Sequence, residues 1–110
     1  MTVFLKSEQD FNAFRLSKSY QSKLLKIRVH YSLNQNVARF GFIIPKKVVA
    51  KVVDRNLLKR RIKAVLLEDS KKVKPVDVLI FPQKALIKQT FAELQAELRE
   101  LFTKAKLWKR

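Results

Sequence analysis

The sequence predicts an α+β sandwich, with helices packed against a mixed sheet, from three observations. Residues 25–33 alternate apolar and polar side chains with period two, the mark of a half-buried strand. Two later stretches, from about Asp54 and from Thr90, repeat apolar residues at helical spacing. Between them lies a short apolar run, Val76 to Phe81, stopped by Pro82, which suits a buried strand. The order is helix, strands, helix, strand, helix. A strand, a crossing helix and a further strand give a parallel βαβ unit.

The elements follow in chain order. Ser7 with Asp10 has the spacing of a helix N-cap and its N3 acid, and opens a short helix. Phe11 and Phe14 then fall on one face of it. Residues 17–23, rich in Ser and Lys, read as a connection or a short extended piece. Leu25, Ile27, Val29, Tyr31 and Leu33 point one way; Lys26, Arg28, His30 and Ser32 point the other. Asn34-Gln35-Asn36 is a turn, and a second strand follows at about Val37 to Ile44, so an antiparallel hairpin is expected. Gly41 within that strand marks a bulge or a close approach, and Pro45 ends the strand. Asp54 is the expected N-cap of a helix running to about Ser70. Lys71 to Pro75 is a basic loop, and residues 83–89 fit no single element. Thr90 and Glu93 form a capping box for the last helix, whose apolar stripe is Phe91, Leu94, Leu98, Leu101, Phe102 and Ala105.

Composition narrows the function. The 110 residues suit one domain spanning 1–110. Lys and Arg number 25 against 9 Asp and Glu, a net charge of +16, which calls for an anionic partner such as nucleic acid. There is no Cys and one His, which excludes thiolate and poly-His metal sites. Gly41 is the only glycine, so no Gly-rich phosphate loop exists. His30 has no nucleophile elbow near it and reads as a residue of a polar strand face. Glu93, Glu97 and Glu100 share a helix, where pairing and solvation explain them. No side chain is nominated as catalytic or as a metal ligand. No run is long enough to span a membrane and the first ten residues lack a signal-like apolar core, so a cytoplasmic protein is the expectation.

The helix from Asp54 is the most informative stretch. At about 100° per residue, Arg55, Asn56, Lys59, Arg60 and Lys63 fall within roughly 140° of arc. Leu58, Ile62, Val65 and Leu66 form a separate, apolar arc. A solvated helix face usually mixes charge signs, whereas this arc holds four cations, one amide and no acid. The amide offers both donor and acceptor to a sugar or base. Lys46 and Lys47 extend the patch, and Arg61 lies off it. A phosphate-binding surface results.

Here the sequence resembles the protein subunit of bacterial ribonuclease P. The residues are Arg39-Phe40-Gly41-Phe42-Ile43-Ile44-Pro45-Lys46-Lys47, then Arg55-Asn56 and Lys59-Arg60. They follow the family's R-x-G-x-x-x-S-K-K strand end and R-N-R-x-K-R helix, with departures. Leu57 stands at the second Arg of that helix motif, Pro45 at the Ser, and Val48-Val49-Ala50 where a Gly usually follows the Lys pair. Whether Arg61 compensates for Leu57 is left open by the sequence.

The resemblance implies a ribosomal-protein-like αβββαβα two-layer sandwich with a left-handed βαβ crossover and a first strand near residues 17–21. It implies contact with a catalytic RNA through Lys46, Lys47, Arg55, Asn56, Lys59, Arg60 and Lys63. It implies that the single-stranded 5′ leader of precursor tRNA lies against Phe11, Phe14, Arg15, Val29 and Tyr31. Core packing suits Phe11 and Val29 equally well. Tyr31 carries a hydroxyl that wants a polar partner or water. By the same resemblance the RNA, with Mg²⁺, performs the hydrolysis. A general RNA-binding or ribosomal protein shares the charge and fold but not this motif spacing, and a self-sufficient nuclease would need clustered His, Asp or Glu.

Overall fold

The computed structural model describes residues 3–4, 18–31 and 36–109. The expected N-terminal helix, with Phe11, Phe14 and Arg15, lies outside them. Five strands form one sheet: β1 (Val3–Phe4), β2 (Lys18–Gln21), β3 (Leu25–Tyr31), β4 (Arg39–Phe42) and β5 (Val76–Pro82), in the order β1-β4-β5-β3-β2. Two helices, α1 (Val52–Asp69) and α2 (Phe91–Lys104), complete the α+β fold. No described helix is long and apolar enough to cross a membrane.

β5 takes the centre of the sheet. All its residues but Phe81 are buried, and only a central strand can bury both faces. It pairs antiparallel with β3, from Leu25↔Pro82 to Tyr31↔Val76, and parallel with β4, from Arg39↔Asp77 to Phe42↔Ile80. The β4–α1–β5 unit is therefore parallel, as the sequence predicts. The expected β3–β4 hairpin is not formed, because β5 inserts between the two strands. A short link between strands does not compel them to pair when a more apolar strand offers each a better neighbour. The hairpin that does form joins β2 to β3. Its turn is held by Ser22, whose Oγ accepts from the N–H groups of Leu24 and Leu25, each at 3.3 Å. The β4 ladder is regular through Gly41↔Leu79, so Gly41 marks no bulge.

The alternation in β3 sorts its side chains as expected. Leu25, Ile27 and Val29 are buried in the core with Phe40, Val78 and Ile80. Leu79, on the other sheet face, packs with Ile43 and Phe81. From α1, Leu58, Ile62, Val65 and Leu66 enter the core, each burial stabilising by about 1.5–3 kcal/mol. Asp54 is not its N-cap. That position is Lys51, which makes no side-chain cap, and Asp54 sits in the first turn, where a carboxylate suits the helix dipole.

α2 ends tightly at both termini. Thr90 Oγ1 accepts from Glu93 N–H at 3.1 Å, and Glu93 Oε1 accepts from Thr90 N–H at 3.0 Å. At the other end, Lys106 adopts φ 56°, its N–H donates to Thr103 O, and Leu107 N–H donates to Phe102 O. This is a Schellman stop, sealed by the burial of Leu107 beside Phe102. Leu94, Leu98, Leu101, Phe102 and Ala105 are buried as expected. Phe91 is not: it stays 40% exposed, because a first-turn side chain leans back past the helix start. A 3-10 turn, Lys84–Lys88, fills the stretch the sequence left unassigned.

Candidate nucleic-acid interface

The basic face is built by the way α1 docks. With Leu58, Ile62, Val65 and Leu66 turned inward, Asn56, Lys59, Arg60 and Lys63 are left on the exposed side. With Val53 they line an open concavity of ≈ 520 Å³. Lys63 Nζ stands 6.0 Å from the centroid of the Phe42 ring, within cation–π range. Lys46 and Lys47 are exposed on the turn that leads from β4 toward the helix. Pro45 O accepts from Val48 N–H and Val49 N–H at 3.0 Å each, and the buried Val49 pins the turn to the core.

Arg55 joins these two parts. Its Nη1 donates to Val49 O and Ala50 O, both at 2.9 Å. The side chain thus clamps the lysine turn to the first turn of α1, which lacks a side-chain cap. Arg61 Nη1 donates to Gln89 O at 2.9 Å. Arg61 is therefore not merely solvated: it ties α1 to the segment before α2, while Leu57, at the motif's second Arg, is half-buried.

Arg39, the first residue of the strand motif, grips Asp77. Its Nε and Nη2 donate to Oδ1 and Oδ2 at 2.7 Å each. Asp77 is buried, and a buried carboxylate needs such a partner. The signal for this pair in the sequence is the carboxylate inside the apolar run 76–81, whose partner 38 positions away no local pattern marks.

Of the residues expected at a leader surface, Tyr31 ends β3 and is 52% exposed. Partial burial, then the neighbouring Tyr20, raises its hydroxyl pKa above the ordinary 10, so it remains a neutral donor at physiological pH. Val29 has 0% exposure and sits in the core, so of the two only Tyr31 leaves its side chain open to solvent. Phe11, Phe14 and Arg15 lie outside the described residues. Among the described residues no three His, Cys, Asp or Glu side chains gather as a metal site.

An α+β sandwich that turns an acid-free, cationic helix face to solvent has the charge pattern of the nucleic-acid-binding class. The Ribonuclease P family model matches residues 2–106, and the chain belongs to that family. It is 32% identical over 108 residues to the ribonuclease P protein component of Synechocystis sp., covering 94% of this chain and 86% of that one. It is 34% identical over 106 residues to that of Streptococcus gordonii, covering 94% and 87%. The fold superposes on the Staphylococcus aureus RNase P protein with TM-score 0.88 at 18% identity, covering 99% of this chain and 100% of that one. On the Thermotoga maritima RNase P protein the TM-score is 0.80 at 23% identity, with coverage of 91% and 94%. The protein is thus a ribonuclease P subunit, part of an endoribonuclease holoenzyme.

Proposed function

We propose that this subunit binds the catalytic RNA of ribonuclease P and the 5′ leader of precursor tRNA, and so promotes removal of the leader. The observation that carries the reading is the exposed, acid-free cluster of Asn56, Lys59, Arg60 and Lys63 on a helix whose other side is locked in the core. Lys46 and Lys47 add charge beside it, and Arg55 fixes their position rather than only meeting phosphate. Cations held on a rigid frame screen RNA–RNA repulsion and release counterions on docking. Tyr31, with Phe11, Phe14 and Arg15 of the N-terminal segment, offers aromatic surface and charge to a single strand.

In this reading the RNA carries out the hydrolysis. In the same reading the Mg²⁺ is held mainly by the RNA and substrate. The chain's role is to bind, orient and neutralise. The test is reconstitution. Protein alone should leave precursor tRNA intact; protein added to the catalytic RNA at low Mg²⁺ should release the 5′ leader. Leader release by nuclease-free protein without RNA would overturn the reading.

A further inference from the structure

We propose a second phosphate-binding surface at the opposite end of α1, built by the C-terminal tail folded against the turn that follows the helix, which gives the subunit two separate grips on RNA. The proposal rests on the RNA-binding reading above and adds a site to it.

Segments 70–75 and 103–109 together hold six lysines, Lys71, Lys72, Lys74, Lys104, Lys106 and Lys109, and no acid. The chain brings these segments together by design of its backbone. The Schellman stop at Lys106 turns the chain out of α2. Lys74 N–H then donates to Leu107 O and Lys109 N–H to Lys72 O, both at 2.7 Å, around an antiparallel bridge between Val73 and Trp108. Trp108 is fixed in turn: its Nε1 donates to Thr103 Oγ1 at 2.8 Å, and its ring packs edge-on to Phe102 at 5.5 Å. A tail held by these contacts presents its lysines at set positions and not as a frayed end.

The surface has a shape suited to an anion. Lys71 and Lys109 line a concavity of ≈ 120 Å³ with Asn36, Ser70 and the apolar Val37, Ala38 and Val73. Ammonium and amide donors around one hollow are what a phosphate oxygen requires. At the end of α1, Asp69 is buried on Arg99 and Glu68 accepts from Gln95, whereas Glu100, one turn before Lys104, is exposed. Favourable placement at the C-terminal end of the α1 dipole accounts for Lys71 and Lys72, but not for Lys109, which arrives from the other segment. Lys59 and Arg60 lie ten and nine residues before the end of α1, about 14–15 Å along its axis, too far for one phosphate group to serve both them and the tail lysines.

The test compares three variants of the full chain. Lys71→Ala/Lys72→Ala/Lys109→Ala strips the new surface; Lys59→Ala/Arg60→Ala strips the helix face. Lys23→Ala/Lys84→Ala/Lys88→Ala removes the same charge from exposed positions elsewhere. Affinity is measured against salt concentration in two arms, protein with the catalytic RNA and reconstituted holoenzyme with precursor tRNA. The first variant should lose affinity beyond its charge-matched control, with the salt slope falling by about 2 to 3, or 0.7–0.9 per lost phosphate contact. The arm that shows the loss identifies which RNA sits there. A loss no greater than the control's in both arms would overturn the second surface. If the helix-face variant also kept full affinity in both arms, the RNA-binding reading itself would fall.

Discussion

The two helices enter one core, yet they use their charges in opposite ways. α2 commits its polar side chains Arg99 and Gln95 to partners within the protein. Arg99 donates from Nε and Nη2 to the buried Asp69 at 2.8 and 2.9 Å, and Gln95 donates to Glu68 at 3.1 Å. Its N-terminus is closed by the Thr90–Glu93 box and its C-terminus by the Schellman turn. α1 has neither kind of closure, and Lys51 caps nothing. Its Arg55 reaches backbone carbonyls just before the helix and its Arg61 one just before α2, while Lys59 and Arg60 between them stay exposed. A helix that satisfies its own ends and charges is architecture. A helix that is held by its neighbours and keeps a one-sign face exposed is an interface.

The sharpest way to break this contrast is to exchange the readouts. Phe102 of α2 is fully buried, stacked on Phe40 with centroids 6.3 Å apart and edge-on to Trp108. Phe102→Ala should cost about 3–5 kcal/mol of folding free energy, seen as a lower denaturation midpoint. At temperatures where that variant stays folded, its affinity for the catalytic RNA should be unchanged. Lys59→Ala/Arg60→Ala should do the reverse: an unaltered midpoint, weaker RNA binding and a flatter salt dependence, by about 0.7–0.9 per phosphate contact. A stability loss in the lysine–arginine variant equal to that of Phe102→Ala would erase the distinction.

How much of this was legible beforehand follows the range of the interactions. The apolar arc of α1, the Thr90–Glu93 box and the alternation of β3 are set by residues within a few positions of one another, and each stands where the sequence puts it. Arg39–Asp77 and Arg99–Asp69 join residues 38 and 30 apart, and no local pattern announces such partners. The misplaced β3–β4 hairpin has the same origin. The apolar run at 76–81 was visible as a strand, but its claim on the sheet centre depends on competition among strands far apart in sequence. At the candidate site, the exposed positions Asn56, Lys59, Arg60 and Lys63 follow from helical period alone. The carbonyl contacts of Arg55 and Arg61 do not, because they depend on where the chain goes before and after the helix.

Tyr31 tests whether the contrast extends from helices to the sheet. It shares a strand face with the buried Val29 yet stands half in solvent. Tyr31→Ala should reduce holoenzyme affinity for precursor tRNA carrying a leader of several nucleotides by about 1–3 kcal/mol if a base stacks on the ring. Affinity for mature tRNA should hold. Tyr31→Phe should retain the stacking share and lose only what the hydroxyl contributes. A large fall in stability without leader-length dependence would return Tyr31 to the architectural side, with Val29.

The smallest expected effect lies at the N-terminus of α2 and concerns Glu93. Its carboxylate accepts the Thr90 N–H, and the Thr90 side-chain hydroxyl adds a second favourable interaction; both favour the ionised form and outweigh slight desolvation. The pKa in the folded protein is therefore lowered from 4.5. A lowered pKa means that the folded state binds the proton less readily than the unfolded chain does. The stabilisation is complete above the unfolded value of 4.5, declines as pH drops below it, and is gone once pH has fallen through the folded value. Glu93→Gln keeps an acceptor oxygen for Thr90 but has no charge to lose. Its melting temperature should lie slightly below that of the parent at pH 7, and the gap should close on acidification through this window. Affinity for the catalytic RNA should stay level across the pair at pH 7, since Glu93 lies at the N-terminus of α2, outside both cationic surfaces. A gap of the same size at pH 3 would mean that the box acts through bond geometry alone, without help from the ionised carboxylate.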